Sequence, residues 1–367
     1  MHESLRPAMR ITVLTPDLAL DGGVTNYYRT LSLDDEANID YFYVNKPHTK
    51  SLLSKAIYAG GIFLNFISAT RGSQLIHVNP SLNFKSFYRD MVFIFLSRVL
   101  GKKVLVFFRG WDNEFQHTIE KSRFASALFR STYARADRFI VLSRDFQDRL
   151  VSLGVSPSKP FHVETTVADS SGLDGFRIDD KIQSAGTHLK CLFISRILRS
   201  KGVFIAIDAF TACRAKVDRP MTLYVAGDGP DLEAAKGYVS NRNLTGIEFA
   251  GEVRGVEKMK LLTSCHVMIF PTCHGEGLPN CVLEGMLYGM PVISRFNGGI
   301  PDVVEHGVNG YLTESTASEI FAEFLHSLVE DTHRYSDIAH QNYDKARATF
   351  STEQVRNRLL AVYGRMA

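Results

Sequence analysis

The sequence predicts an α/β protein of two doubly wound, Rossmann-like domains. Short apolar runs alternate with longer helix-compatible segments along the chain, the pattern of parallel strands covered by helices on both faces. Glycine-bearing turns follow several of these runs, where each strand would hand over to a helix. The length, 367 residues, suits two domains of ordinary size. The expected division is residues 1–170 for the first domain, a linker over 171–188, a second domain over 189–350, and a C-terminal helix over 351–367.

Composition narrows the class. A hydrophobic content of 45% supports a large core. A net charge of +3 does not ask for a nucleic-acid partner, and none is expected. The five cysteines, Cys191, Cys213, Cys265, Cys273 and Cys281, contain no CxxC pair. They are expected as reduced, buried thiols rather than disulfides or zinc ligands. The opening MHESLRPAMRITVLT has no segment of signal-peptide type, and no run of apolar residues is long enough to span a membrane. A cytoplasmic protein is expected, at most resting on the inner face of the membrane.

The first strand is Arg10–Thr15. The turn Asp21-Gly22-Gly23 leads from it into a helix over 24–33. The full GxGxxG fingerprint is absent, so a nicotinamide site is not expected. The two glycines are either a tight turn or a close approach to a ligand. Further strands are expected at Ile39–Val44, Gln74–Val78, Lys103–Phe108 and Arg138–Ser143, with helices near 51–70, 84–100 and 117–135. His77, near the end of the third strand, reads as a satisfied structural residue. The segment 84–103 mixes aromatics with Lys85, Arg89, Arg98, Lys102 and Lys103. It is either a helix buried in the first domain, the favoured reading, or one lying on an anionic membrane surface. Arg109-Gly110 opens the loop after VLVFF. A guanidinium there cannot serve as a base, but it can hold a carboxylate or phosphate, or pair locally with Asp112.

The polar stretch 168–188, with its Gly and Ser, reads as the link between domains. Leu189–Ser195 is the first strand of the second domain. Arg196 and Lys201 flank its strand-to-helix loop, where an anion would sit. Met221–Ala226 ends in the turn Gly227-Asp228-Gly229-Pro230, which borders the strand ends. Val267–Phe270 is a buried strand, and its loop carries Gly275, Glu276 and Gly277. Leu278, Pro279 and Asn280 lead into a helix through Leu287, with Pro279 suited to the first helical position. Pro291–Ser294 is the next strand, and Asn297-Gly298-Gly299 opens a short helix at Pro301. Two helix N-termini thus lie near carboxyl ends of parallel strands and favour a pyrophosphate. Glu276 on the loop and Glu284 on the helix flank them, and carboxylates accept sugar hydroxyls well. The combination suits a nucleotide sugar.

The GEGLPN-x3-E-G pattern from Gly275 to Gly285 resembles the signature of the retaining glycosyltransferases of family 4, the glycosyl transferases group 1, which have the GT-B fold. The resemblance is dense from Lys190 to Leu312 and thin before Lys103. It implies two domains facing a cleft, a last helix over 351–367 that crosses back to the first domain, and a donor diphosphate bound by Arg196 and Lys201. It implies that Glu276 holds donor-sugar hydroxyls and Glu284 ribose hydroxyls, and that Gly22 and Gly23 sit across from the donor phosphates near the acceptor. Many members carry a His-Gly pair where this chain has Arg109-Gly110, so a histidine role does not transfer. The implied reaction moves a sugar from a nucleotide-diphosphate sugar to a glycan or lipid-linked acceptor hydroxyl, with retention and without a metal or other cofactor. The departing charge would be met by Arg196, Lys201 and helix N-termini. A sugar-nucleotide-binding protein without transfer, or an epimerase of the same fold, remains open.

Overall fold

The computed structural model describes residues 9–20, 22–45, 52–275 and 277–367, the side chains of 52–60 excepted. The chain divides into two compact units, one of Met1–Thr165 with Val355–Ala367 and one of Thr166–Gln354.

In the first unit, β1 (Ile11–Thr15), β2 (Ile39–Tyr43), β3 (Leu75–Val78), β4 (Lys103–Phe108), β5 (Arg138–Val141) and β6 (Phe161–Val163) form one sheet in the order β2-β1-β3-β4-β5-β6. Every pairing is parallel. Every residue of β1 and β3 is buried, as is all of β4 after Lys103, because helices cover both faces. The core is heavily aromatic. Phe66, Phe87, Phe93, Phe108, Phe129 and Tyr133 are wholly enclosed, each contributing about 1.5–3 kcal/mol through apolar burial.

Two expectations are corrected in this unit. The helix foreseen over 117–135 is two helices, Asn113–Lys121 and Arg123–Ser131. Ser122 ends the first and caps the second, its hydroxyl accepting from the Ala125 N–H, so a local cap outweighs continuous periodicity. The helix Arg144–Ser152 and strand β6 were not foreseen. The helix Phe84–Val99 is amphipathic rather than simply buried. Phe87, Phe93 and Ile94 face the core, while Phe84, Phe95 and Val99 are more than half exposed.

The last helix, Thr352–Gly364, enters the first unit from residue 355 onward. The Tyr363 hydroxyl meets His77 Nδ1 at 2.7 Å. Arg358 engages the buried Glu164 carboxylate at 2.6–3.2 Å, and Arg356 pairs with Glu36 at 2.8 Å.

In the second unit, β7 (Leu189–Ile194), β8 (Met221–Ala226), β9 (Ile247–Gly251), β10 (Val267–Phe270), β11 (Val292–Arg295) and β12 (Gly310–Thr313) form an all-parallel sheet in the order β9-β8-β7-β10-β11-β12. The polar stretch 168–188 contains a helix, Ile178–Thr187. Its Lys181 is buried and donates to the carbonyls of Leu262 at 2.8 Å and Tyr288 at 2.6 Å. Burial pulls that ammonium down to about 7. Tertiary contact, not local periodicity, makes this segment helical.

Candidate functional site

Strand order in the second sheet places the site. The chain runs from β7 outward to β8 and β9, then returns to the other side of β7 with β10. The carboxyl ends of β7 and β10 are therefore a topological switch point, where open α/β sheets receive ligands. The loops leaving them are 195–202 and 271–279, which carry Arg196, Lys201, Gly277, Leu278 and Pro279 of the predicted residues.

These loops are joined chiefly through the backbone. Ser195 N donates to Ala226 O at 3.1 Å, and Ile197 N to Asp228 O at 2.9 Å. Cys273 N donates to Ser200 O at 2.7 Å, and Gly299 N to Gly277 O at 2.6 Å. Gly227 sits at φ 137°, and a Cβ there would run into the Ser195 carbonyl. The tight seam, rather than a ligand, demands glycine at that position. The Asp228 carboxylate is turned back onto the Gly229 N–H at 2.7 Å.

Backbone stitching leaves the cations of the first loop at the surface. Arg196 is exposed, while Lys201 is half-buried at the end of the turn Arg199–Lys201. Leu278 and Pro279 are buried and Asn280 half-buried. Pro279 stands just before the helix Asn280–Leu287 instead of opening it, and no side chain caps that N-terminus. Val282 N donates to Pro279 O at 3.1 Å, and the partial positive charge of this helix start favours an anion. Glu276 lies outside the described residues.

Glu284 is 4% exposed and lies on that helix. Burial raises its carboxyl above the usual range, and Lys258 opposes the shift. Lys258 Nζ donates to Oε1 at 2.6 Å. Lys258 escaped the sequence reading. It lies on another helix, Gly255–Ser264, and only folding brings it to Glu284. The surface pocket of about 710 Å³ beside this loop, lined by Arg199, Ser200, Phe204, Asp231, Cys273 and Thr316 among others, contains none of the predicted site residues. Cys273 is exposed and Cys281 half-buried, so only Cys191, Cys213 and Cys265 are the buried thiols expected. Among the described residues, no three His, Cys, Asp or Glu are grouped to hold a metal ion.

The remaining predicted residues belong to the first unit. Gly22 and Gly23 open the helix Gly23–Leu31, whose N-terminus carries no side-chain cap. A Cβ at Gly23 would meet nothing within 4 Å, and one at Gly22 only the Thr25 hydroxyl at 3.4 Å. The fold does not require glycine at either position. Arg109 follows β4 and does not pair with Asp112. The Asp112 carboxylate instead caps the next helix, accepting from Glu114 N at 3.0 Å and Phe115 N at 3.1 Å. His77 is buried and neutral, pressed down to about 3 by burial and by the Arg109 charge.

Residues 176–345 match the family described as glycosyl transferases group 1. The chain carries a group 1 glycosyltransferase domain. Among curated relatives, the amylovoran biosynthesis glycosyltransferase AmsK of Erwinia amylovora is 25% identical over 62% of this chain and 55% of its own. The Salmonella typhimurium protein WcaL, by its name a colanic acid biosynthesis glycosyltransferase, is 25% identical over the same shares. The chain thus spans little more than half the length of these relatives. Among solved structures, HepE of Anabaena, in complex with UDP, superposes with a TM-score of 0.73 at 20% identity, covering 97% of this chain and 100% of that one. Sucrose-phosphate synthase of Thermosynechococcus elongatus superposes with a TM-score of 0.73 at 18% identity, covering 98% and 99%. The fold is that of the GT-B glycosyltransferases.

Proposed function

We propose that this protein is a retaining, metal-independent glycosyltransferase. It moves a sugar from a nucleoside diphosphate sugar to an acceptor hydroxyl in the synthesis of a cell-surface polysaccharide or lipid-linked oligosaccharide. The observation that carries the reading is the switch point of the second sheet, where the loop bearing Arg196 and Lys201 is joined through Ser200 and Cys273 to the loop that leads into the uncapped helix at Asn280, with Glu284 on that helix. A diphosphate leaving group gains charge as the glycosidic bond breaks. Two cations and a helix N-terminus stabilise that charge most in the transition state. Glu284, oriented by Lys258, accepts the ribose hydroxyls, and Glu276 the hydroxyls of the donor sugar. A second HepE structure is in complex with UDP-glucose, which supports a uridine nucleotide as the first donor to try. The names of AmsK and WcaL support the polysaccharide context, and the resemblance to family 4 supports retention.

The test begins with thermal shift across nucleoside diphosphates and their sugars, since a ligand stabilises by mass action according to its affinity. Donor turnover is then measured in excess chelator. Binding with neither transfer nor hydrolysis would make the protein a sugar-nucleotide binder. Interconversion of donor sugars without an acceptor would make it an epimerase. Loss of activity to chelator, restored by magnesium or manganese, would end the metal-independent reading.

The acceptor is proposed as a glycan or lipid-linked sugar. Phe84, Phe95, Val99 and Leu100 are exposed beside Lys85 and Arg98, which favours peripheral contact with an anionic lipid surface. Among the described residues no helix is long and apolar enough to cross a membrane. Co-sedimentation with vesicles containing phosphatidylglycerol, weakened in Phe95→Ser/Val99→Ser, checks the contact. Equal recovery of both proteins from such vesicles would end it.

A further inference from the structure

Arg109 is a poorly compensated charge in the first unit. Its backbone is pinned at the end of β4, with its N–H donating to Pro80 O at 2.8 Å. The guanidinium lies over two aromatic faces, 4.0 Å from the Tyr27 ring centre and 4.3 Å from that of Phe107. These rings attract a cation through their faces, and the Tyr27 oxygen bears on the same guanidinium. Nε and Nη1 are buried without a hydrogen-bond partner, and so is the Tyr27 hydroxyl. Nη2 is the one nitrogen of the guanidinium that does not share this state.

The neighbouring acids are already engaged. Asp112 caps the following helix. Glu164, the carboxylate whose charge bears on Arg109, accepts from Arg358, from His162 Nε2 at 3.1 Å and from Thr165 N at 2.8 Å. Glu164 is thus already shared with Arg358, and the neutral His77 offers Arg109 no countercharge. Enclosed donors without partners are costly, more so when charged. A fold that retains them at a strand end holds them for something absent from the free chain.

We propose that Arg109 binds an anionic group borne by a sugar, a carboxylate or a phosphate ester, and so selects acidic sugar substrates. The guanidinium meets the oxyanion at Nη2, with Tyr27 and Phe107 behind it keeping water away and strengthening the charge–charge contact. The acidic-donor version rests on the nucleoside diphosphate sugar reading above. The binding of a free sugar acid does not.

The test uses the full chain and calorimetric titration of wild type, Arg109→Met and Arg109→Lys. Probes are UDP, UDP-glucose and UDP-glucuronic acid for a donor, with glucose, glucuronic acid and glucose 6-phosphate as free sugars. We expect wild type to favour at least one acidic sugar over its neutral counterpart by about tenfold. Arg109→Met should abolish that preference, and Arg109→Lys should reduce it, since the charge remains but the stacked plane is lost. Affinity for UDP should not change. Should the Met variant fail to fold by circular dichroism, the Lys variant carries the comparison. The proposal is overturned if wild type discriminates in neither series, or if the variants lose UDP and UDP-sugar affinity equally. If UDP does not bind at all, the function reading fails while the free-sugar series still decides Arg109.

Discussion

At the carboxyl edge of the first sheet, polar groups are tied side chain to side chain. At the same edge of the second sheet they are tied through the backbone. In the first unit the Tyr28 hydroxyl donates to Asn79 Oδ1 at 2.7 Å, Asn79 Nδ2 donates to Leu14 O at 3.0 Å, and His77 meets Tyr363. The groups are buried, and the glycines of the neighbouring turn are not demanded by the fold. In the second unit, main-chain bonds join the loops, Gly227 is demanded by the fold, and Arg196 stays exposed. A backbone seam fixes loop positions without drawing on the Arg196 side chain, which stays exposed. A side-chain network uses up its own polar groups, so any group left over, such as Arg109, stands out.

The largest effect expected is on turnover. Arg196→Ala or Lys201→Ala should lower kcat by roughly 10²–10³, about 3–4 kcal/mol of lost leaving-group stabilisation. Near-full activity in either variant, measured with the donor found by thermal shift, would remove the phosphate role from the second edge.

Next comes the pair that folding built there. Lys258→Met leaves the Glu284 carboxylate buried without its cation and should cost about 3 kcal/mol in urea unfolding followed by circular dichroism. In Glu284→Ala the donor KM should rise more than kcat falls, because ribose contacts act in ground and transition states alike. The opposite split would move Glu284 to the reacting centre.

The glycines test the contrast directly. Gly227→Ala should destabilise by about 2–3 kcal/mol, since it adds a strained φ and a clash with Ser195. Gly23→Ala should leave stability within about 1 kcal/mol of wild type. Equal losses at both sites would erase the distinction between the two turns.

The smallest effect is on pH dependence, and it should appear in both units. Burial presses His77 and His266 down to about 3. Below the ordinary histidine value of about 6.5 the unfolded chain takes up protons that the folded chain refuses. Stability present above that pH is therefore lost as pH falls towards 3, by about 2 kcal/mol per histidine at pH 5. Trp111, the chain's one tryptophan, reports the first unit by fluorescence. His77→Asn should flatten its urea midpoint between pH 7 and pH 5, and His266→Asn should not. An unchanged slope in His77→Asn would show that the imidazole is not held neutral.

The sequence by itself determined most of the strands. Runs such as VLVFF and VMIF are buried on both faces, and β-rich apolar stretches of that length leave little choice. It also located the loops of the second unit, because Arg196, Lys201 and the Gly275–Asn280 stretch lie within short windows where strand–turn–helix chemistry is local. Tertiary structure alone decided what depends on partners distant in the chain. Lys258 reaches Glu284 from another helix, Lys181 turns a polar stretch into a packed helix, and Tyr363 closes on His77. It also decided Arg109. The sequence leaves that guanidinium to pair with nearby Asp112, but Asp112 caps a helix, because free N–H groups next to it in the chain bind a carboxylate at little entropic cost.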